Sequence, residues 1–130
     1  MIILNFTQHD ATPEQVAAGV MEPDADNKER IRQLLTFQQI PTQSELRQRA
    51  TDCAVLASDL ARKYACDGVL IGGAPYFMSH LESALRLFKV RYCYAFSRRE
   101  VEEQIQPDGS VKKTHVFKHV GFIFDEEDCQ

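Results

Sequence analysis

Three short segments of the sequence, residues 7–10, 72–76 and 97–99, hold the side chains and backbone groups best suited to chemistry. The candidate ligand-binding residues in them are Thr7, Gln8, His9, Gly72, Gly73, Ala74, Pro75, Tyr76, Ser97, Arg98 and Arg99. Together they offer hydroxyl, amide, imidazole and guanidinium groups, which are the groups that bind phosphate oxygens. The pattern therefore predicts a site for an anionic ligand.

His9 is the candidate catalytic residue, because it stands among polar residues directly after an apolar run. An imidazole titrates near neutral pH and can hydrogen-bond a phosphate or transfer a proton. The alternative is a polar strand end that does no chemistry, as is common in loops.

The paired glycines Gly72 and Gly73 lie between an apolar run and an amphipathic segment. Glycine lets backbone N–H groups approach a ligand, and the N-terminus of a helix favours negative charge. The segment matches neither a dinucleotide fingerprint nor a P-loop, so a tight turn is an equal alternative. Tyr76 is placed either to stack on a base or to pack in the core.

Arg98 and Arg99 follow Ser97 at the end of a third apolar run. Guanidinium groups bind phosphate through two parallel hydrogen bonds, so these residues are expected to grip the anion. A helix or hairpin cap carrying two solvated arginines is the alternative interpretation.

The sequence contains no motif for binding a metal ion or a cofactor. The four cysteines form no CxxC pair, and no HExxH motif or carboxylate cluster is present. His115 and His119 are expected on one face of a strand, too far apart for one metal ion. We therefore expect no metal and no cofactor.

Apolar runs and amphipathic stripes alternate along the chain and predict strands that alternate with helices. Strands are expected at residues 2–6, 20–22, 68–71, 90–96 and 116–122, helices at 13–18, 27–37, 46–64 and 77–88, and a charged hairpin at 101–114. Capping boxes at Thr12 with Gln15, and at Thr42 with Glu45, mark two helix starts.

This alternation predicts a single Rossmann-like, three-layer α/β domain with a mostly parallel sheet. The expected strand order is about 2-1-3-4, with an antiparallel C-terminal strand or hairpin outside the fourth strand. Ligands in such sheets bind at the carboxyl ends of the strands, where the order reverses. The three candidate segments should converge at that place.

The 130 residues suit one domain, expected at residues 1–124 and followed by an acidic tail at 125–130. A net charge of −4 argues against general nucleic-acid binding. No apolar run is long enough to span a membrane, and no signal peptide pattern opens the sequence, so a cytoplasmic location is expected.

The opening run Met1-Ile2-Ile3-Leu4-Asn5-Phe6-Thr7, followed by Thr12-Pro13-Glu14-Gln15, resembles the start of small CRISPR-associated Rossmann-like proteins, including ring-nuclease relatives. The resemblance implies a homodimer that binds a cyclic oligoadenylate over the strand ends. It places Thr7, Gln8 and His9 in the loop after the first strand and Ser97, Arg98 and Arg99 in the loop after the fourth. Phe96 stands where that family carries an acidic or amide residue.

The sequence thus predicts a protein that binds a nucleotide-type anion, with metal-independent phosphodiester cleavage as the associated activity. Two alternatives remain open at this point: a non-catalytic interaction or assembly protein, and a small enzyme that processes nucleosides or sugar phosphates.

Overall fold

The computed structural model describes residues 1–125. Its elements, in chain order, are β1 (Ile3–Phe6), α1 (Pro13–Ala17), β2 (Val20–Met21), α2 (Ala25–Leu35), α3 (Gln43–Lys63), β3 (Gly68–Ile71), α4 (Pro75–Leu87), β4 (Tyr92–Ile105) and β5 (Val111–Phe124). The chain is an α/β protein, as its sequence predicts.

The helices begin at residues that satisfy their free backbone N–H groups. Thr12 and Gln15 form both hydrogen bonds of the predicted capping box, and the Thr42 hydroxyl accepts from the amide of Glu45. Asp24 caps α2, which begins two residues earlier than its apolar spacing indicates. Capping therefore sets three of the four helix starts.

The five strands form one mixed sheet in the order β2-β1-β3-β4-β5. The first four strands are parallel to their neighbours, and β5 runs antiparallel to β4. The chain passes from β1 to β2 on one side of β1 and then crosses to β3 on the other side. The carboxyl ends of β1 and β3 therefore flank a crevice of the kind that binds ligands in α/β sheets.

The two faces of the sheet are covered unequally. The large apolar core lies between one face and the three long helices α2, α3 and α4. On the other face Ile3, Val20, Leu70 and Cys93 form a small cluster, and the short helix α1 has no buried residue. The expected three-layer arrangement is therefore not confirmed, because the second helical layer is only one short helix.

The C-terminal third differs from the expected separate strand, hairpin and last strand. β4 continues from Tyr92 to Ile105 and pairs with β5 along its whole length, with a bulge between Phe96 and Ser97. The prediction that residues 97–99 form a loop or a helix cap is wrong, since they lie inside β4. These residues are polar because this part of β4 is exposed to solvent. An exposed polar strand has the same kind of composition as a loop, so the sequence alone does not distinguish the two.

We call the outer part of this pair, residues 97–105 with residues 111–119, the ribbon. β3 pairs with β4 only at Tyr92 and Cys93, so the ribbon extends past the rest of the sheet.

Asp125, the last residue that the structure describes, contacts the end of the sheet. The amide of Asp125 donates to the carbonyl of Tyr92 at 3.1 Å, and its carboxylate lies 3.5 Å from Nε of Arg86. These two contacts hold Asp125 against the end of the sheet. The remainder of the predicted tail, residues 126–130, lies outside the described residues, as does Cys129. No helix within residues 1–125 has the length and apolar character needed to cross a bilayer.

Candidate functional site

A cavity of about 390 Å³ opens at the carboxyl ends of β1, β3 and β4. Its lining consists of Thr7, Gln8, His9, Asp10, Thr12, Gln15, Leu70, Ile71, Gly72, Gly73, Tyr94 and Ala95. The first two candidate segments, 7–10 and 72–73, therefore meet here. Their juxtaposition follows from the pairing of β1 with β3 in register from Ile3 and Gly68 to Phe6 and Ile71.

The loop of residues 7–10 is held from below by Asn5, which is fully buried at the centre of the sheet. The Asn5 amide donates to the carbonyl of His9 at 2.8 Å and to the Glu22 carboxylate at 2.5 Å. Its oxygen accepts from the Thr7 hydroxyl at 2.7 Å. A buried amide satisfied in this way fixes the backbone of the loop.

Lys28 of α2 is the second support of this loop and is only 6% exposed. Its ammonium group donates to the carbonyl of His9 at 2.8 Å and to the Glu22 carboxylate at 3.3 Å. Glu22 also accepts from the amide of Ala11 at 3.2 Å, so this carboxylate ties both ends of the loop. A buried charge needs such partners because desolvation is costly.

The Asn5–Glu22–Lys28 cluster is not among the residues predicted from the sequence. Asn5 interrupts an apolar run, and Lys28 stands three and seven residues before the buried Ile31 and Leu35 of α2. A polar residue at such a core position is the signal that could have identified both, because buried polar groups require partners.

Gln8 and Arg32 fasten the same loop to α2. The Gln8 amide donates to the carbonyl of Leu35 at 3.1 Å and to the hydroxyl of Thr36 at 3.0 Å. Arg32 pairs with Asp10 at 3.4 Å. The Gln8 side chain is therefore already hydrogen-bonded within the protein. His9, by contrast, is exposed and lines the cavity.

The paired glycines line the cavity beside this loop. Gly73 has φ +157°, and a Cβ added to it would lie 3.2 Å from Cε of Met78. Ala74 is the N-cap of α4 without a side-chain hydrogen bond, and Pro75 opens the helix. The amino end of α4 therefore has no side-chain cap, although Ala74 and Pro75 do not line the cavity.

Tyr76 points to a different cleft. Its ring contacts Phe37 edge-on, with centroids 5.7 Å apart, and it lines a 540 Å³ cleft formed with residues 37–41. The structure therefore does not bring Tyr76 into the cavity with His9 and the glycines.

The third candidate segment lies on the ribbon beside the cavity. Ser97 and Arg99 share a strand face with the cavity residue Ala95, whereas Arg98 faces the other way and pairs with Glu100 at 3.3 Å. Arg99 stands four residues beyond Ala95, or about 13 Å along the strand. The three predicted segments therefore converge only in part.

Tyr94 lines the cavity and was not anticipated as a site residue. Its hydroxyl donates to Glu82 at 2.5 Å, and burial together with this bond raises its pKa above the ordinary tyrosine value. Tyr94 therefore remains protonated near neutral pH and contributes a ring surface rather than a base.

The remaining histidines do not assemble a metal site in the part of the chain that the structure describes. No group of three or more histidine, cysteine or acidic side chains is placed to hold a metal ion there. His119 instead packs on Phe122 with ring centroids 4.9 Å apart, and its amide donates to Glu14 of α1 at 3.1 Å.

The family model described as "Uncharacterized protein MJ1673 family" matches residues 1–123. Neither the curated proteins nor the solved structures provide a match to the chain.

Proposed function

We propose, on the premise that this chain belongs to the Uncharacterized protein MJ1673 family, that it binds an anionic, nucleotide-type ligand in the cavity between residues 7–12 and 72–73. The observation that carries the proposal is the meeting of these two segments at the carboxyl ends of adjacent parallel strands. This is the position at which open α/β sheets bind ligands.

The anion would be held by hydrogen-bond donors rather than by a cluster of cations, since the lining contains no lysine or arginine. The donors are the backbone amides of Gly72 and Gly73, which line the cavity and carry no side chain to block a ligand. The Thr12 hydroxyl adds a donor, because it accepts from the amide of Gln15 and keeps its own hydrogen for a ligand. His9 lines the same cavity as the glycines.

The resemblance of residues 1–7 and 12–15 to CRISPR-associated Rossmann-like proteins makes a cyclic oligoadenylate the first ligand to test. In the cleavage that we propose, His9 takes the proton of a ribose 2′-hydroxyl, and the 2′-oxygen forms a bond to phosphorus. The bond from phosphorus to the 5′-oxygen breaks, and the imidazolium returns its proton to that oxygen. The products are a 2′,3′-cyclic phosphate and a 5′-hydroxyl, so the reaction consumes no cofactor.

Thermal shift with a panel of ligands tests binding. The panel contains cyclic oligoadenylates, mononucleotides, nucleosides, sugar phosphates and inorganic phosphate. A ligand at a hundredfold excess over its Kd should stabilise the protein by about 2.7 kcal/mol. A response to sugar phosphates alone would favour the alternative enzyme class, and no response to any phosphate ligand would overturn the proposal.

Two matched pairs of variants locate the site and separate binding from cleavage. Gly72→Val should abolish the shift by filling the cavity, whereas Gly72→Ala should retain it, since a Cβ there meets only Cγ2 of Thr7 at 3.9 Å. His9→Ala should retain the shift and reduce turnover about a hundredfold or more, as expected for loss of a general base. His115→Ala, a second exposed histidine, is the control and should change neither quantity.

A further inference from the structure

A second cleft, which the proposed function does not use, lies near the candidate cavity. Its volume is about 540 Å³, and it lies between Tyr76 at the start of α4 and residues 37–46 at the junction of α2 and α3. Tyr76 follows the cavity residue Gly73 by three positions, and the side-chain amide of the cavity residue Gln8 donates to the hydroxyl of Thr36 at 3.0 Å. The cleft is therefore a neighbour of the cavity, but the two linings share no residue.

Apolar side chains supply much of the lining of this cleft. Leu46 is buried, whereas Tyr76 is 53% exposed and Ile40 is 97% exposed. An occupant with an apolar surface would remove these two exposed side chains from water, which is favourable. The cleft therefore suits a ligand that has a substantial apolar face.

The aromatic part of the cleft is held in place by Arg49. Its guanidinium group lies 4.5 Å from the centre of the Phe37 ring and donates to three backbone carbonyls at the C-terminal end of α2, at 2.7–3.2 Å. Phe37 in turn contacts the ring of Tyr76 and, with centroids 5.3 Å apart, the ring of the buried Phe77. The rings are thus positioned by the protein itself, as is usual for small-molecule sites.

The polar side chains of the cleft are neutral amides. Gln38, Gln39 and Gln43 are exposed, and none of the residues that line the cleft carries a charge. An amide offers a donor and an acceptor side by side, and glutamine in this way forms two hydrogen bonds with the adjacent N6 and N7 groups of adenine. The lining also lacks glycine, so it has neither a cation nor an open backbone amide for an anion. It suits a neutral ring.

We propose that this cleft binds a neutral, planar heteroaromatic ring of the adenine type, which stacks on Tyr76 and pairs with the glutamine amides. Aromatic side chains bind bases in this way because every base has a π-face. The volume agrees with this occupant, since small-molecule sites measure about 300–1,000 Å³. A protein partner would need about 20–30 residues a side, whereas eight residues line this cleft.

Titration with adenosine, which carries the ring without a phosphate, tests the proposal by ¹⁵N-edited NMR. The amide signals of residues 37–43 and of Tyr76 should shift and saturate. Purine riboside, which lacks the 6-amino group, should bind about tenfold more weakly, because it keeps the stacking and loses one of the two hydrogen bonds to an amide. Ribose should produce no shift.

Variants of Tyr76 test the stacking. Tyr76→Ala should weaken adenosine binding about tenfold or more, whereas Tyr76→Phe keeps the ring and should retain the wild-type Kd. Phe117→Ala is the matched control, because it removes an exposed aromatic ring from the ribbon, outside the cleft, and should leave the Kd unchanged. Both rings are exposed, so the circular dichroism of the variants should stay native.

Gly72→Val separates this inference from the proposed function. It should abolish the response to phosphate ligands and leave the adenosine shifts at residues 37–43 in place. Absence of adenosine binding, equal affinity for purine riboside, or equal effects of Tyr76→Ala and Phe117→Ala would overturn the inference. Loss of adenosine binding in Gly72→Val but not in Tyr76→Ala would also overturn it, because adenosine would then occupy the candidate cavity and the proposed function would stand.

Discussion

Lys28 shows how a single buried side chain supports the candidate site without lining it. Its ammonium group bonds the carbonyl of His9, and Asn5 donates to the same oxygen. The exposed imidazole therefore stands on a backbone that two buried groups hold in place. Lys28 is a positioning residue in the proposed function.

Lys28→Met is expected to lower the free energy of unfolding by about 1–3 kcal/mol, because it removes the charged donor and leaves the Glu22 carboxylate with the neutral donors of Asn5 and Ala11. Urea denaturation measures this loss. Arg30→Met, which removes an exposed cation from the same helix, is the control and should change stability by less than about 0.5 kcal/mol. Equal effects of the two substitutions would show that Lys28 does not support the loop.

Cys53 and Cys93 are fully buried, and burial raises the pKa of each thiol to about 12. Both should resist iodoacetamide in the native protein at pH 8 and react in urea, as followed by peptide mass spectrometry. The folded-state pKa lies above the unfolded value of 9.0, so their contribution to stability is present below pH 9 and is lost as the pH rises further. Rapid labelling of native Cys53 would contradict the burial.

At the scale of the element, helix caps decide where the chain turns towards the site. Asp24 begins α2, the helix that carries Lys28 and Arg32 to the loop of residues 7–10. Its carboxylate accepts from the amide of Asn27 at 3.0 Å and from the hydroxyl of Tyr64 at 2.8 Å. The cap thus also joins the start of α2 to the end of α3.

Asp24→Ala should lower Tm at neutral pH, because the hydrogen bonds from Asn27 and Tyr64 hold the pKa of Asp24 well below its ordinary value of 3.8. A depressed carboxyl pKa stabilises the fold above the unfolded pKa, and this contribution is lost as the pH falls towards the folded pKa. The Tm difference between wild type and Asp24→Ala should therefore shrink below pH 4. Asp26→Ala, in the first turn but outside the cap, should show a smaller difference that changes less over this range.

At the scale of the whole molecule, unequal coverage of the sheet links the cavity and the ribbon. The three long helices pack on one face, and the other face continues from Cys93 through Ala95 to the side of the ribbon that carries Val101 and Phe117 among charged residues.

The candidate site could be predicted from sequence only where it depends on strand ends. His9 and the paired glycines each follow a short buried run, and the parallel pairing of those runs brings them to one cavity. Arg98 and Arg99 could not be placed in this way, because their surroundings depend on β5, about twenty residues further along the chain. Tyr76 was misplaced because an exposed aromatic residue in a first helical turn can face either side of the helix.

The amino-acid sequence by itself determined the order of the elements from β1 to α4, the capping boxes at Thr12 and Thr42 and the buried stripe of α3. These depend on contacts between residues a few positions apart, so local spacing is sufficient to reveal them. Only the tertiary structure decided that Asn5, Glu22 and Lys28 form one buried cluster and that residues 97–105 continue as a strand. Both outcomes depend on partners distant in sequence, whose pairing a one-dimensional pattern does not contain.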